Sequence, residues 1–426
     1  MVTWVLVAIL ILVNILLAFQ RVSNALVGLL GAILVIVVGY LSGLFNFIGA
    51  LSFIDFNAIF LILGLFILIQ VTKDNGLFQF ITLKIVKKTG GRVYPLYISF
   101  IVLTFLLAGL VGSITTMMIV GYITIITSST CDYDPIPFLI IESFIADMAG
   151  TTLVSGSVSI IVASQLLGIT YAEWASIAYP MGLVFLGFSI LIAPKLQRRN
   201  LKAQKTSMEA LYELELIDPW QVVNKKSIFY ATAGVLAFTF IMFFLSSFIN
   251  VSLGFIALLS ALIMLIINRA DLQHVFQKTD WETLIYIIGI SITIGGVSES
   301  GILDILGNSL FLLIGGNAVL GLVTILWVIS ALTGFLDNLA VTLMFIPTIK
   351  IFSATIPLLP MAYALLLGAD IGITFLPWAT TSGLIAMSLA KEANAKIKVK
   401  DYAKVGLLNI CYLSIATLLF TGITII

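Results

Sequence analysis

Four long apolar stretches of this chain are broken in the middle by glycine, hydroxyl and acidic residues, and those breaks restrict the fold more than any other feature. The stretch 317–353 contains SALTGFLDNLAVTLMFIP (330–347), with Asp337-Asn338 at its middle and no charge in the residues from Ser330 to Leu336. Residues 93–130 break at Gly112-Ser113-Ile114-Thr115-Thr116. Residues 135–167 break around Gly150-Thr151-Thr152 and again at Ser155-Gly156-Ser157, and 360–390 break from Thr374 to Gly383. Uninterrupted runs long enough to span a bilayer lie at 3–19, 24–45, 56–72, 172–193, 228–247, 250–268, 281–297 and 403–424. Charged residues are 10% of the chain, against about 25% in a soluble domain. The expected fold is therefore an all-α polytopic membrane protein, with 3–19 read as a transmembrane helix and not a signal peptide.

Several chemistries are excluded. Cys131, Cys411 and His274 have no metal-ligand spacing, so no structural metal site is expected. No GxxxxGK[ST] loop is present, which argues against an ATP-driven pump. Neither a cofactor nor a nucleic-acid partner is expected; the partners are the bilayer and a small ion.

The basic residues order the spans. Suppose 93–130 and 317–353 each enter and leave on one side, while 135–167 and 360–390 each cross once. All lysines and arginines except Lys350 then fall in loops on one face: Arg21, Lys73 to Arg92, Lys195 to Lys226, Arg269 to Lys278 and Lys391 to Lys404. The positive-inside rule makes that face cytoplasmic, with both termini outside and the plasma (inner) membrane as the location. Residues 77–88 read as an amphipathic interfacial helix. The polar segment 195–226 reads as a linker between a first membrane repeat (1–194) and a second (227–426).

An internal repeat supports that division. At an offset of 225 positions Asp55 falls on Asp280, Gly64 on Gly289, Gly76 on Gly301 and Gly109 on Gly334. A slightly shifted register places Ala146-Asp147, Thr151 and Leu153 on Ala369-Asp370, Thr374 and Leu376. Five crossings per half invert the second half, and inverted repeats with interrupted helices mark secondary transporters with a midplane site.

Broken helices persist at membrane depth only where their freed backbone groups are buried or line a wet cavity. The candidate ion-binding residues are Ser113, Thr115 and Thr116 at the first hairpin tip, and Thr151, Thr152 and Ser155 in the first broken helix. Asp337 and Asn338 at the second tip and Thr374, Thr380 and Thr381 in the second break complete the hydroxyl and tip set. Asp147 and Asp370 precede the two breaks at matching positions. An ionised carboxylate at the bilayer centre costs about 2.5–3.5 kcal/mol or more. Acids there, with no cationic residue beside them in the sequence, ask for a proton or a bound Na+, the latter at Asp337, Asn338 and Asp370. The plainer reading of Asp337, Asp147 and Asp370 is capping of the following half-helix, and that of any one hydroxyl is helix packing. Glu142 could equally face a headgroup or a helix partner.

Three stretches carry a family resemblance: DWETLIYIIGISITIGGVSESGILD (280–304), SALTGFLDNLAVTLMFIP (330–347) and ADMAGTTLVSGSVSIIVASQLLGITYAEW (146–174). They resemble the ion transporter superfamily of arsenite efflux pumps, NhaD-type sodium–proton antiporters, the melanosomal P protein and the citrate and dicarboxylate carriers. The resemblance implies two inverted repeats, each with a re-entrant hairpin and a helix broken in mid-membrane, and a homodimer working by elevator-like movement. The first tip reads Gly112-Ser113 where the arsenite and NhaD branch has Asp-Asn, and the Ser-Asn-Thr tips of dicarboxylate carriers are absent.

The leading expectation is a proton- or sodium-coupled secondary transporter of a small inorganic ion, by sodium–proton exchange or arsenite/oxyanion efflux. The alternative is a sodium-coupled carrier of a di- or tricarboxylate, ranked lower because the sequence shows no fixed positive charge in the core. A remote third is an intramembrane aspartyl protease, from Tyr133-Asp134 and Gly368-Ala369-Asp370.

Overall fold

The structure, a computed structural model, describes residues 2–19, 22–90, 92–202, 218–223, 225–314, 317–377 and 379–423. Arg21, Trp378 and the linker stretch 203–217 lie outside the described residues. Among the described residues every regular element is a helix. In the first half these are α1 (Val2–Phe19), α2 (Asn24–Ser42), α3 (Phe47–Leu51), α4 (Phe56–Asp74), α5 (Leu77–Thr89), α6 (Val93–Val111), α7 (Ser113–Cys131), α8 (Ile136–Gly150), α9 (Val158–Leu167) and α10 (Tyr171–Leu196). A short α11 (Arg198–Lys202) leads into the linker. The second half has α12 (Lys226–Ile249), α13 (Leu253–Asn268), α14 (Leu272–Lys278), α15 (Trp281–Glu299), α16 (Ile302–Ile314), α17 (Ala318–Thr333), α18 (Asn338–Phe352), α19 (Leu358–Ile373), α20 (Thr381–Glu392) and α21 (Val399–Ile423). Eight of these, α2, α4, α6, α7, α10, α12, α15 and α21, are long and apolar enough to cross a membrane. The protein is a multi-pass integral membrane protein.

The sequence explains the helix limits. Asp55 caps α4 by accepting from the Ala58 N–H (3.0 Å), and its repeat partner Asp280 caps α15 through Thr283 (3.0 Å). Gly43, at φ +73°, ends α2 at Ser42, short of the apolar run that continues to 45. Ser252 accepts from the Phe255 N–H and starts α13 at Leu253, so the run from 250 begins with a cap. The interfacial segment 77–88 is helical as expected, with Lys84, Lys87 and Lys88 exposed.

Two bodies of helices pack together. One is a frame in which α2 lies along α15 and α4 along α13. Glycines permit these crossings: a Cβ on Gly289 would stand 2.3 Å from the Gly28 carbonyl carbon, and one on Gly64 would stand 2.6 Å from that of Ala257. The other body contains two hairpins, α6–α7 and α17–α18, and two broken helices, α8–α9 and α19–α20. Here α6 packs on α8, α17 on α19, and α20 crosses to α8. Both arms of the first hairpin touch α5, so the chain leaves and returns on one side. Frame and hairpin body meet where α9 packs on α4 and α18 on α15. At the end of α4 remote from Lys73, Asn57 donates to Gln165 Oε1 (2.6 Å) and accepts from the Gly254 N–H (3.0 Å), tying α9 to the frame.

Candidate functional site

Each hairpin tip meets a helix break. At the first tip Gly112 adopts φ +84°, ψ 162°, a conformation open to glycine, and its Cα faces the Gly156 carbonyl oxygen. Ser113 then opens α7, whose second turn is a π-helical bulge at Met117–Gly121. The first break is a 3₁₀ turn, Val154–Gly156, folded so tightly that a Cβ on Gly156 would lie 2.4 Å from the Gly150 oxygen. The freed backbone is satisfied locally. Thr151 and Thr152 hydroxyls donate to the carbonyls of Met148 (2.7 Å) and Ala149 (2.6 Å), and buried Trp174 Nε1–H donates to the Thr151 carbonyl (3.1 Å). Trp174→Phe leaves that carbonyl unpaired at a cost of about 1–3 kcal/mol. Its thermal unfolding in detergent is therefore expected several degrees below the parent, with the exposed-site control Trp4→Phe unchanged.

At the second tip Asp337 is the N-cap of α18, accepting from the Ala340 N–H (2.9 Å), and the Tyr286 hydroxyl of α15 donates to the same carboxylate oxygen. Asn338 Nδ2 donates to Asp370 Oδ1 (3.1 Å), while buried Asp370 Oδ2 has no protein partner among the described residues. Thr380 caps α20 through the Gly383 N–H (2.8 Å), and the Asn409 side chain donates to Thr374. The breaks are cross-linked: Ser382 Oγ donates to Asp147 Oδ2 (2.5 Å) and lies 3.1 Å from Ser143 Oγ, which lies 3.2 Å from Tyr402 Oη.

Tips, breaks and frame enclose one cavity of about 1000 Å³. It gathers Ser113, Thr115, Asp147, Ser155, Asp337, Asn338, Asp370, Thr380 and Thr381, with Ser157 and Tyr286 added. Thr116, Thr151, Thr152 and Thr374 stand behind the wall, buried and outside the lining. Capping of the following half-helix is ruled out for Asp147 and Asp370. Each sits near the C-terminal end of its own half-helix, and α9 and α20 have Ser157 and Thr380 at their N-caps. Asp337, in contrast, both caps and lines the cavity. Glu142 is fully buried against a helix partner, with the Thr124 hydroxyl donating to Oε1 (2.5 Å), and does not line the cavity. Exposed Asp134 is also outside the lining, so the two aspartates of a protease do not meet.

The cavity these acids line also reaches two cationic side chains, which the sequence alone does not place there. Lys73 and Lys278 line the same cavity, with Asn24, Gln70 and Thr279 around them. All five lie at the helix ends that adjoin the basic loops. The lining takes in the Lys73 end of α4 but not its Asn57 end, so the cavity opens on the basic-loop side.

The sequence model of the citrate transporter family matches residues 14–368. An uncharacterized transporter of Mycobacterium bovis is 24% identical over 405 residues, covering 94% of this chain and 93% of its own. A 46 kDa membrane protein of Mycobacterium leprae is 22% identical, covering 92% of each chain. The mouse P protein is 23% identical over 503 residues, covering 96% of this chain and 60% of its own.

Proposed function

Because the chain belongs to the citrate transporter family, we propose that it carries a small organic anion, a di- or tricarboxylate, together with a coupling proton or sodium ion, by alternating access. It is a transporter and not an enzyme: the family model is that of a citrate transporter, and the Mycobacterium bovis relative is named a transporter. The observation that carries the substrate reading is the size and polarity of the cavity. About 1000 Å³ lined by hydroxyls, three amides, carboxylates and two lysines is in the range of small-molecule sites, whereas a bare sodium ion needs only a few oxygens. This reverses the order in which the sequence alone ranks the organic anion and the inorganic ion.

Three carboxylates at depth, Asp147, Asp337 and Asp370, repel an anion unless neutralised. The coupling cation is what makes the anion's entry favourable, by protonating or coordinating them. The same succession of spans, amphipathic helix, hairpin, broken helix and final span in both halves supports two inverted repeats. We place the basic loops in the cytoplasm of a plasma (inner) membrane protein that works as a homodimer, so that this state faces inward. Reconstituted vesicles with an imposed pH or sodium gradient, offered citrate, succinate, arsenite, sodium and lithium, test the reading. Gradient-driven accumulation of citrate or succinate is expected; arsenite efflux or sodium–proton exchange with no carboxylate movement overturns it.

A further inference from the structure

Lys73 ends the last turn of α4 and Lys278 is the last residue of α14, and the two lie near enough to repel one another across the cavity rim. The carboxylates beside them are engaged elsewhere. Asp74 accepts from Gln70 Nε2 (2.9 Å) and stands 3.5 Å from His274 Nδ1. Asp280 accepts from the Thr283 N–H (3.0 Å) and hydroxyl (2.6 Å). Neither rim lysine takes part in the ion pairs His274–Asp74 and Lys404–Asp401. Two like charges facing one gap, neither of them held in an ion pair among the described residues, attract a polyanion to it.

We propose that Lys73 and Lys278 form an anion-capture subsite at the cavity rim, where a di- or tricarboxylate is held before it passes to the hydroxyl-lined floor. The proposal rests on the carboxylate reading of the cavity and adds a second, shallower station to it. The two stations are separate because the lining follows α4 from Ile62 to Lys73, a path of about 16 Å at 1.5 Å per residue, longer than a citrate molecule. The cavity is thus polarised along its length, with both lysines and Asp280 at the rim and Asp147, Asp337 and Asp370 at the floor. An anion captured at the rim waits there until the floor is neutralised.

Lys73→Met and Lys278→Met keep the aliphatic stems and remove the charges. In vesicles the double variant is expected to raise the KM for citrate about tenfold, within the range of electrostatic effects on capture. Vmax should stay within twofold, and the parent's fall in subsaturating uptake with added salt should disappear. Lys73→Arg with Lys278→Arg should restore the parent's behaviour. An unchanged KM and salt dependence in the double Met variant overturns the proposal. If the parent moves no carboxylate, the carboxylate reading fails by itself, and calorimetric titration of the purified protein with sulfate examines the rim alone. Binding by the parent that the double Met variant loses upholds anion capture; equal or absent binding in both removes it.

Discussion

Asp370→Asn is expected to lower gradient-driven uptake on the order of a hundredfold, corresponding to about 3 kcal/mol of lost interaction with the coupling cation, while the protein stays folded. The substitution keeps the Oδ1 acceptor that Asn338 Nδ2 engages and removes the charge and the oxygen Oδ2, which has no hydrogen-bond partner among the described residues. Asp337→Asn separates capping from ion handling at the other tip. Asparagine caps a helix about as well as aspartate, so the bond from the Ala340 N–H survives and only the charge is lost. If capping were the whole role, Asp337→Asn would transport like the parent. We expect a loss comparable to that of Asp370→Asn, measured as uptake of citrate and succinate under a pH or sodium gradient with expression and size-exclusion profile as controls. Retention of coupling in both variants would refute the assignment of these carboxylates to the coupling ion.

The second large effect is mechanical. Gly289→Leu drives a side chain into the Gly28 backbone, where even a Cβ would stand 2.3 Å from one atom and 2.6 Å from another. Neither contact is the movable end of a side chain. Overpacking usually costs about 1–3 kcal/mol and more where backbone is in the way, so the variant should fail to yield monodisperse protein. Gly234→Ala is the matched control: nothing lies within 4 Å of its Cβ, and alanine favours the helix by about 1 kcal/mol. Thermal unfolding in detergent should place it at or above the parent.

Much of this architecture was legible because its signals are local. Asp55 and Asp280 mark helix starts, lie 225 positions apart, and each caps as its neighbours require. The breaks announce themselves as glycine and hydroxyl residues within apolar runs, and Asp147, Asp337 and Asp370 do converge on one cavity. Individual hydroxyls were not separable by sequence. Thr151 and Thr152 turn back to carbonyls one turn earlier, whereas Ser113 and Thr380 face the cavity, and the choice depends on helix phase at the break. The rim lysines read as ordinary loop charges, since each lies at the end of a helix; only the packing of α4 beside α14 turns those ends into a cavity wall. The Asp147–Ser382–Ser143–Tyr402 network joins residues more than two hundred positions apart. Tyr286 lies in a segment with a quoted family resemblance, but nothing there distinguishes it from a packing aromatic.

The tie between Asn57 and Gln165 is made of two neutral amides. Neither proton concentration nor ionic strength alters such a clasp appreciably, unlike a surface ion pair. In the alternating-access cycle we propose, the state open toward the basic loops is therefore held by packing and amide bonding. The coupling ion we propose has its leverage at the acidic floor, on the same side of the cavity as the catch it must release.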